Sequence, residues 1–129
     1  MIPGGNSPEL LEKCIFPLFE KARYNNFEIL VIDTESENKD MTAFYHRIES
    51  IRKNVKVITN TKLDGLPAIR NFGASLANGD YLFFMDNNVE LIDATAMGEM
   101  LGNCMRDEVG AVSGVLYDDN DMVFHQGYL

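Results

Sequence analysis

The feature that most constrains the fold is the alternation of short apolar runs with helical patterns. The runs are rich in β-branched and aromatic residues and have the length of strands. The strand candidates are 27–33 (FEILVID), 55–59 (VKVIT) and 80–86 (DYLFFMD). The helix candidates are 7–22, 40–52, 65–79 and 93–106. This alternation predicts an α/β fold, a doubly wound, mostly parallel sheet with helices on both faces.

Local signals mark where the helices begin and end. Ser7 is a candidate N-cap, with Pro8 at the first helical position. Pro17 lies inside the same pattern and predicts a kink or an early end. Asp40 is the expected cap of the second helix, and Gly79 is the expected stop of the third. Residues 109–129 predict a strand, a turn rich in Asp and Asn, and a returning strand.

Length and charge limit the classes of function. A chain of 129 residues that is 46% hydrophobic can form one compact domain but not two. Its formal charge of −9 argues against nucleic acid and against anionic membranes as partners, but helix N-termini can still attract phosphate. No apolar run has the length of a membrane span, so we expect a cytoplasmic protein. Cys14 and Cys104 lie far apart, and we interpret both as small buried hydrophobic residues.

Polar or glycine-rich segments follow the predicted strands. The first, 3–6 (PGGN), follows a short first strand at Ile2 and Pro3, and the others are 33–36 (DTES) and 86–88 (DNN). In doubly wound sheets, ligands bind beyond the carboxyl ends of the strands, where the strand order reverses. We therefore expect these segments to form a cleft.

Three side chains in or near this cleft have two interpretations each. Asp33 could accept a hydrogen bond from a base or a ribose hydroxyl, or it could bond the backbone in an Asx turn. Arg70 could bind a pyrophosphate, or it could be a solvated surface residue. Asp86, with Asn88, could hold Mg²⁺ or Mn²⁺, or the segment could be a plain turn rich in Asp and Asn.

Taken in order, these segments resemble a family-2 glycosyltransferase with the GT-A fold. The resemblance is carried by IPGGN (2–6), EILVIDTES (28–36) and the long segment 65–91, GLPAIRNFGASLANGDYLFFMDNNVEL. It extends through the tail, 109–129, and so covers nearly the whole chain. The order and spacing of the motifs carry the likeness more than any one of them.

The resemblance implies a role for each matching position. Asp33 matches the acid that contacts the nucleotide base, and Pro3 lines the same pocket. Arg70 matches the basic position near the diphosphate. Asp86 and Asn88 match the first and last positions of the metal motif, so Mn²⁺ or Mg²⁺ is the implied cofactor. Such enzymes transfer a sugar from a nucleotide-diphosphate donor to a hydroxyl acceptor. We therefore expect an inverting reaction on a glycan or a lipid, at the cytoplasmic face of the membrane.

The sequence departs from the family pattern in two places. Asn87 and Asn88 stand where the family has an acidic metal ligand, which puts the metal in question. The first strand is reduced to Ile2 and Pro3, and the chain ends before the acceptor-binding half. We therefore expect 1–129 to be a single domain truncated at both ends, the donor-binding half, with the general base outside this chain.

Two other functions stay open. One is a non-catalytic nucleotide- or partner-binding module that keeps the fold with a degenerate metal motif. The other is a nucleotidyltransferase of similar fold, which would need a basic phosphate loop after the first strand, whereas no basic residue precedes Lys13. An incomplete domain would also expose apolar surface, so we expect self-association, through the sheet edge left by the short first strand.

Overall fold

A computed structural model describes residues 1–35 and 37–127, so Ser36 of the segment 33–36 and residues 128–129 of the tail lie outside the described chain. The helices are α1 (Pro8–Glu20), α2 (Lys39–Ile51), α3 (Leu66–Leu76) and α4 (Ala96–Cys104). The strands are β1 (Ile2–Pro3), β2 (Ile29–Asp33), β3 (Val55–Thr59), β4 (Leu116–Tyr117) and β5 (Val123–His125). The first three strands form a parallel sheet in the order β1-β2-β3.

The middle strand, β2, is covered on both faces. All five of its residues are buried. Ile29 and Val31 belong to the core cluster formed with α1 and α2, whereas Ile32 lies against Gly73 of α3. Because successive side chains of a strand point to opposite faces, α3 lies on the other face from α1 and α2. The predicted α/β fold with helices on both faces is confirmed.

The segment 80–86 differs from the buried strand that the sequence predicts. No strand is assigned within these described residues, and the side chains from Tyr81 to Phe84 are all exposed. The segment nevertheless runs beside β1, because the Met1 amine donates to the Phe83 carbonyl at 2.7 Å and the Met85 amide donates to the Met1 carbonyl at 3.1 Å. A two-residue β1 is too short to form a longer ladder with it.

This pairing corrects the expected route of self-association. We expected the edge of β1 to be open, but that edge is occupied by residues 83–85. In the described chain, the outer side of the 80–86 segment is one open edge of the sheet, and the outer side of β3 is the other. Because backbone groups alternate in direction along an extended chain, the amides of Leu82 and Phe84 face away from β1.

The helix ends agree with the sequence in part. The Ser7 hydroxyl accepts from the Leu10 amide at 3.3 Å, as an N-cap does, and α1 continues past Pro17 for one turn before it ends at Glu20. The predicted cap of α2 is wrong. Asn38, not Asp40, caps this helix, because the Asn38 side chain accepts from the amides of Asp40 and Met41, both at 3.1 Å.

The tail forms the predicted hairpin, with β4 and β5 antiparallel. The Asp118 carboxylate accepts from the amides of Asn120 and Met122 and closes the turn. Cys14 is buried as predicted, whereas Cys104 is only partly buried on α4, and both thiols are free. In the part of the chain that the structure describes, no helix is long and apolar enough to cross a membrane.

Candidate functional site at the carboxyl ends of the strands

Gly4 connects the segments that the sequence places at the carboxyl edge of the sheet. Its amide donates to the Ile32 carbonyl at 2.8 Å, and its own carbonyl accepts from Asn87 Nδ2 at 3.3 Å. A Cβ at this position would collide with the Tyr45 hydroxyl and lie 3.3 Å from Asp33. Only glycine therefore allows the first strand to approach both β2 and the 86–88 turn this closely.

Asp33 is the only buried charged side chain in the described core, with 2% of its surface exposed. Its Oδ1 accepts from the Tyr45 hydroxyl at 3.1 Å and from the Glu35 amide at 3.3 Å, and its Oδ2 accepts from the Thr59 hydroxyl at 3.4 Å. The bond to Glu35 forms the Asx turn that the sequence offered as one interpretation. These three donors replace the water that a buried carboxylate loses.

Tyr45 is a site residue that sequence reasoning missed. It lies on the buried face of α2 and is 6% exposed. Burial, followed by the neighbouring Asp33 charge, raises the pKa of the Tyr45 phenol, so the hydroxyl stays protonated and donates to the carboxylate. The available signal was an aromatic residue with a polar tip on the helix face that packs against the sheet.

Arg70 and Asp86 meet across the gap between α3 and the end of the 80–86 segment. Arg70 Nη2 lies 3.1 Å from Asp86 Oδ1, and the Arg70 Cζ atom lies 5.9 Å from the centre of the Phe84 ring. Both side chains are partly exposed, 39% for Arg70 and 50% for Asp86. The structure thus places two of the predicted site residues in direct contact.

The Asp-Asn-Asn segment forms a turn. The Val89 amide donates to the Asp86 carbonyl at 3.2 Å, so Asn87 and Asn88 are the two central residues. The Cys14 thiol donates to the same Asp86 carbonyl at 3.5 Å, which ties the turn to α1. Asn87 points toward Gly4, whereas Asn88 is exposed.

These residues do not fit a resident divalent ion. Among residues 1–35 and 37–127, no group of three or more His, Cys, Asp or Glu side chains could hold a metal. The one carboxylate of the motif, Asp86, already pairs with a guanidinium, and Asn87 presents its amide N–H₂ to a carbonyl. Mg²⁺ and Mn²⁺ require several oxygen ligands, and charged ones bind them best. The predicted Asp86–Asn88 metal pair therefore gains no support from the geometry.

The remaining surface around Asp33 is shallow. One depression is lined by Asp33, Tyr45 and Thr59 together with residues of α2, and another by Thr34, Glu35, Glu37, Asn38 and Thr61. Pro3, half-buried, lies opposite Ile32 in the register of the sheet, at the end of β1. Pro3 and Asp33 are thus both at the carboxyl edge, but Pro3 lines neither of the two depressions, and their shared pocket stays a prediction.

Two of the relatives come from bacteria. It is 30% identical over 127 residues to the O-antigen biosynthesis protein RfbC of Myxococcus xanthus, a match that covers 98% of this chain and 10% of that protein. It is 33% identical over 93 residues to the amylovoran biosynthesis glycosyltransferase AmsB of Erwinia amylovora, covering 70% of this chain and 30% of that protein.

A third relative comes from an animal. The inactive polypeptide N-acetylgalactosaminyltransferase-like protein 5 of Macaca fascicularis is 39% identical over 66 residues, which is 50% of this chain and 15% of that protein. The chain thus spans less than a third of the length of each of these relatives. The family model described as glycosyl transferase family 2 matches residues 1–129, so the resemblance is confirmed and the chain belongs to that family.

Proposed function

We propose that this chain is the donor-binding half of a glycosyltransferase and holds a nucleotide-diphosphate sugar at the carboxyl edge of its sheet. The observation that carries the proposal is the arrangement around Gly4. Gly4 contacts Asp33 on one side and Asn87 on the other, and Asn87 follows the Asp86 that pairs with Arg70. A hydrogen-bond acceptor and a cation therefore flank one glycine-lined strand end, which suits a ligand with a base and a diphosphate.

Asp33 is the proposed contact of the nucleotide base. A carboxylate has about four lone-pair sites, and three of those on Asp33 are used by Tyr45, Glu35 and Thr59. One acceptor site is left for the ring N–H of a base. Uracil, thymine and guanine all carry such an N–H, so this contact supports uridine, deoxythymidine and guanosine donors alike.

The transfer itself is proposed from family membership. The relatives include a protein named as a glycosyltransferase and one named for O-antigen synthesis. We propose that the sugar passes with inversion to a hydroxyl of a glycan or lipid acceptor, on the cytoplasmic side of the membrane. Among the described residues we propose neither a general base nor an acceptor contact.

The alternative function is a non-catalytic module that binds a nucleotide or a protein partner. Its support is the Asp-Asn-Asn turn, in which only Asp86 is charged, together with the similarity to a protein named as inactive. Both functions predict a folded domain. They differ in whether a nucleotide-diphosphate sugar is bound and turned over.

Calorimetric titration of UDP, GDP and dTDP, and of the matching nucleotide sugars, tests the proposal. We expect at least one to bind, and Asp33→Asn to weaken the binding, because the amide presents one fewer acceptor oxygen. The matched control is Asp64→Asn, since Asp64 is an exposed acid outside the site. A folded sample that binds none of these ligands would refute donor binding and leave the partner-binding module.

We also propose that the chain self-associates. Its accessible surface is 8830 Å², about 2,000 Å² more than a folded monomer of 14.5 kDa exposes. A stable interface needs about 800 Å² from each partner. The exposed apolar side chains include Leu82 and Phe84 on the open edge of the 80–86 segment, and Phe124 on the tail hairpin. Sedimentation of a single monomeric species across a wide concentration range would refute this proposal.

A further inference from the structure

We propose that Arg70, held in place by Asp86 and Phe84, supplies the positive charge that binds the donor diphosphate, so that this site binds its ligand without a divalent metal. In this arrangement Asp86 is a positioning residue for Arg70 and not a metal ligand. The inference rests on the proposed donor-binding function and specifies how that site takes up the anionic part of the ligand.

Two neighbouring side chains orient the Arg70 guanidinium. Arg70 lies on α3, and its Nη2 atom contacts Asp86 Oδ1 at 3.1 Å. Its Cζ atom lies 5.9 Å from the ring centre of Phe84, within the range of a cation–π contact. Two residues of one segment, one acidic and one aromatic, thus orient the side chain from the neighbouring edge of the sheet.

Most of the N–H groups of Arg70 stay available to a ligand. A guanidinium carries five N–H groups in a fixed planar fork. Within the described part of the chain, Arg70 makes one hydrogen bond, to Asp86. The remaining N–H groups can bind two phosphate oxygens in a bidentate manner, the geometry in which arginine binds phosphate best. The 39% exposure of the side chain leaves this fork accessible to a ligand.

The charges around residues 86–88 disfavour a divalent cation. A divalent cation at Asp86 would lie next to the Arg70 guanidinium and be repelled by it. Its other ligands in the motif would be the neutral side chains of Asn87 and Asn88, and Asn87 turns its amide N–H₂ toward the Gly4 carbonyl. The protein side of the site therefore has one cation already present and a single carboxylate, so a metal would depend on the diphosphate for its other charged ligands.

The test compares UDP binding in EDTA with binding in Mn²⁺, by calorimetry on the whole chain, or with whichever nucleotide diphosphate binds. We expect the same affinity in EDTA, or a higher one, because Mn²⁺ neutralises the free diphosphate and competes with Arg70 for it. An affinity that rises about tenfold or more with Mn²⁺ would overturn the inference and leave the proposed donor binding intact.

Variants separate the two roles of Asp86. Arg70→Gln should weaken binding by about 10- to 100-fold, the effect of losing hydrogen bonds to a charged group, and Arg70→Lys should restore only part of it. Asp86→Asn should keep most of the affinity in EDTA, because the asparagine oxygen can still accept from Arg70. If Asp86→Asn instead removes a Mn²⁺-dependent gain, Asp86 is a metal ligand and the inference is wrong.

The matched control is Lys21→Gln. Lys21 pairs with Glu90 at 3.1 Å, and their exposures of 47% and 45% resemble those of the Arg70–Asp86 pair. This substitution should leave UDP affinity unchanged within about twofold, since an exposed ion pair by itself contributes little. If Arg70→Gln has an equally small effect in a sample that binds UDP, the diphosphate is held elsewhere. If neither the parent chain nor any variant binds a nucleotide diphosphate, the donor-binding proposal itself is refuted.

Discussion

Tyr45→Phe tests whether the buried carboxylate of Asp33 is held by the tyrosine hydroxyl. The substitution removes one oxygen atom and leaves the ring in the core beside α2 and β2. Asp33 would keep two donors, the Glu35 amide at 3.3 Å and the Thr59 hydroxyl at 3.4 Å, both longer than the 3.1 Å bond that is lost. The shortest of the three hydrogen bonds to this carboxylate is therefore the one removed.

The size of the effect follows from burial and charge. Asp33 is 2% exposed and Tyr45 is 6% exposed, so water cannot easily replace the hydroxyl. A hydrogen bond to a charged group contributes about 1.5–3 kcal/mol. We expect Tyr45→Phe to lower the free energy of unfolding by about that amount, which is a large fraction of the about 5–15 kcal/mol stability of a typical domain.

Urea denaturation followed by circular dichroism measures this change. The midpoint should fall while the slope of the transition stays the same, since the surface exposed on unfolding is nearly unchanged. Tyr117→Phe is the control, because Tyr117 is 49% exposed, and it should shift stability by less than about 0.5 kcal/mol. A Tyr45→Phe loss as small as that of the control would refute the reasoning that this bond stabilises the buried charge.

Three other outcomes are expected. Gly4→Ala should lower the free energy of unfolding by about 1–3 kcal/mol, because the added Cβ collides with neighbouring atoms. Gly98→Ala has open space around it on α4 and should raise the free energy of unfolding by about 0.5–1 kcal/mol. Equal effects of the two substitutions in thermal melts would contradict this. Burial raises the pKa of the Cys14 thiol from 9.0 to about 12. The folded chain therefore holds this proton more tightly than the unfolded chain does, so the stability that the buried thiol contributes is present below pH 9 and is lost as the pH rises toward 12. A thiol reagent at pH 8 should accordingly modify the partly exposed Cys104 first and Cys14 only on unfolding, and equal rates would refute the burial of Cys14. Leu82→Glu should shift sedimentation toward the monomer, and unchanged association would exclude the open edge as the interface.

The fold class was readable from the sequence because its signals are local. The alternation of apolar runs with helical patterns depends only on neighbouring residues, and β2, β3 and the four helices α1 to α4 appear within a few residues of their predicted bounds. The cap of α2 shows the limit of such reading. Asn38 and Asp40 both carry an oxygen that can accept backbone N–H groups, and only the path of the chain determines that Asn38 does so.

The segment 80–86 shows a second limit. Its apolar composition predicts burial on both faces, but burial depends on what packs against it, and in the described chain the side chains of residues 81–84 are each 39–48% exposed. The sequence pattern indicates that a segment favours burial. Which residues pack against it, and whether they bury it, is a property of the folded chain.

The sequence by itself determined the α/β class, the family, and the candidate residues Pro3, Asp33, Arg70 and Asp86, because strand ends and motif order are written along the chain. Only the tertiary structure decided what these residues contact. Tyr45 lies 12 positions from the Asp33 it bonds, and Arg70 lies 16 positions from Asp86. Such pairs depend on how α2, α3 and the strands pack, and no local period in the sequence specifies which distant residues come into contact.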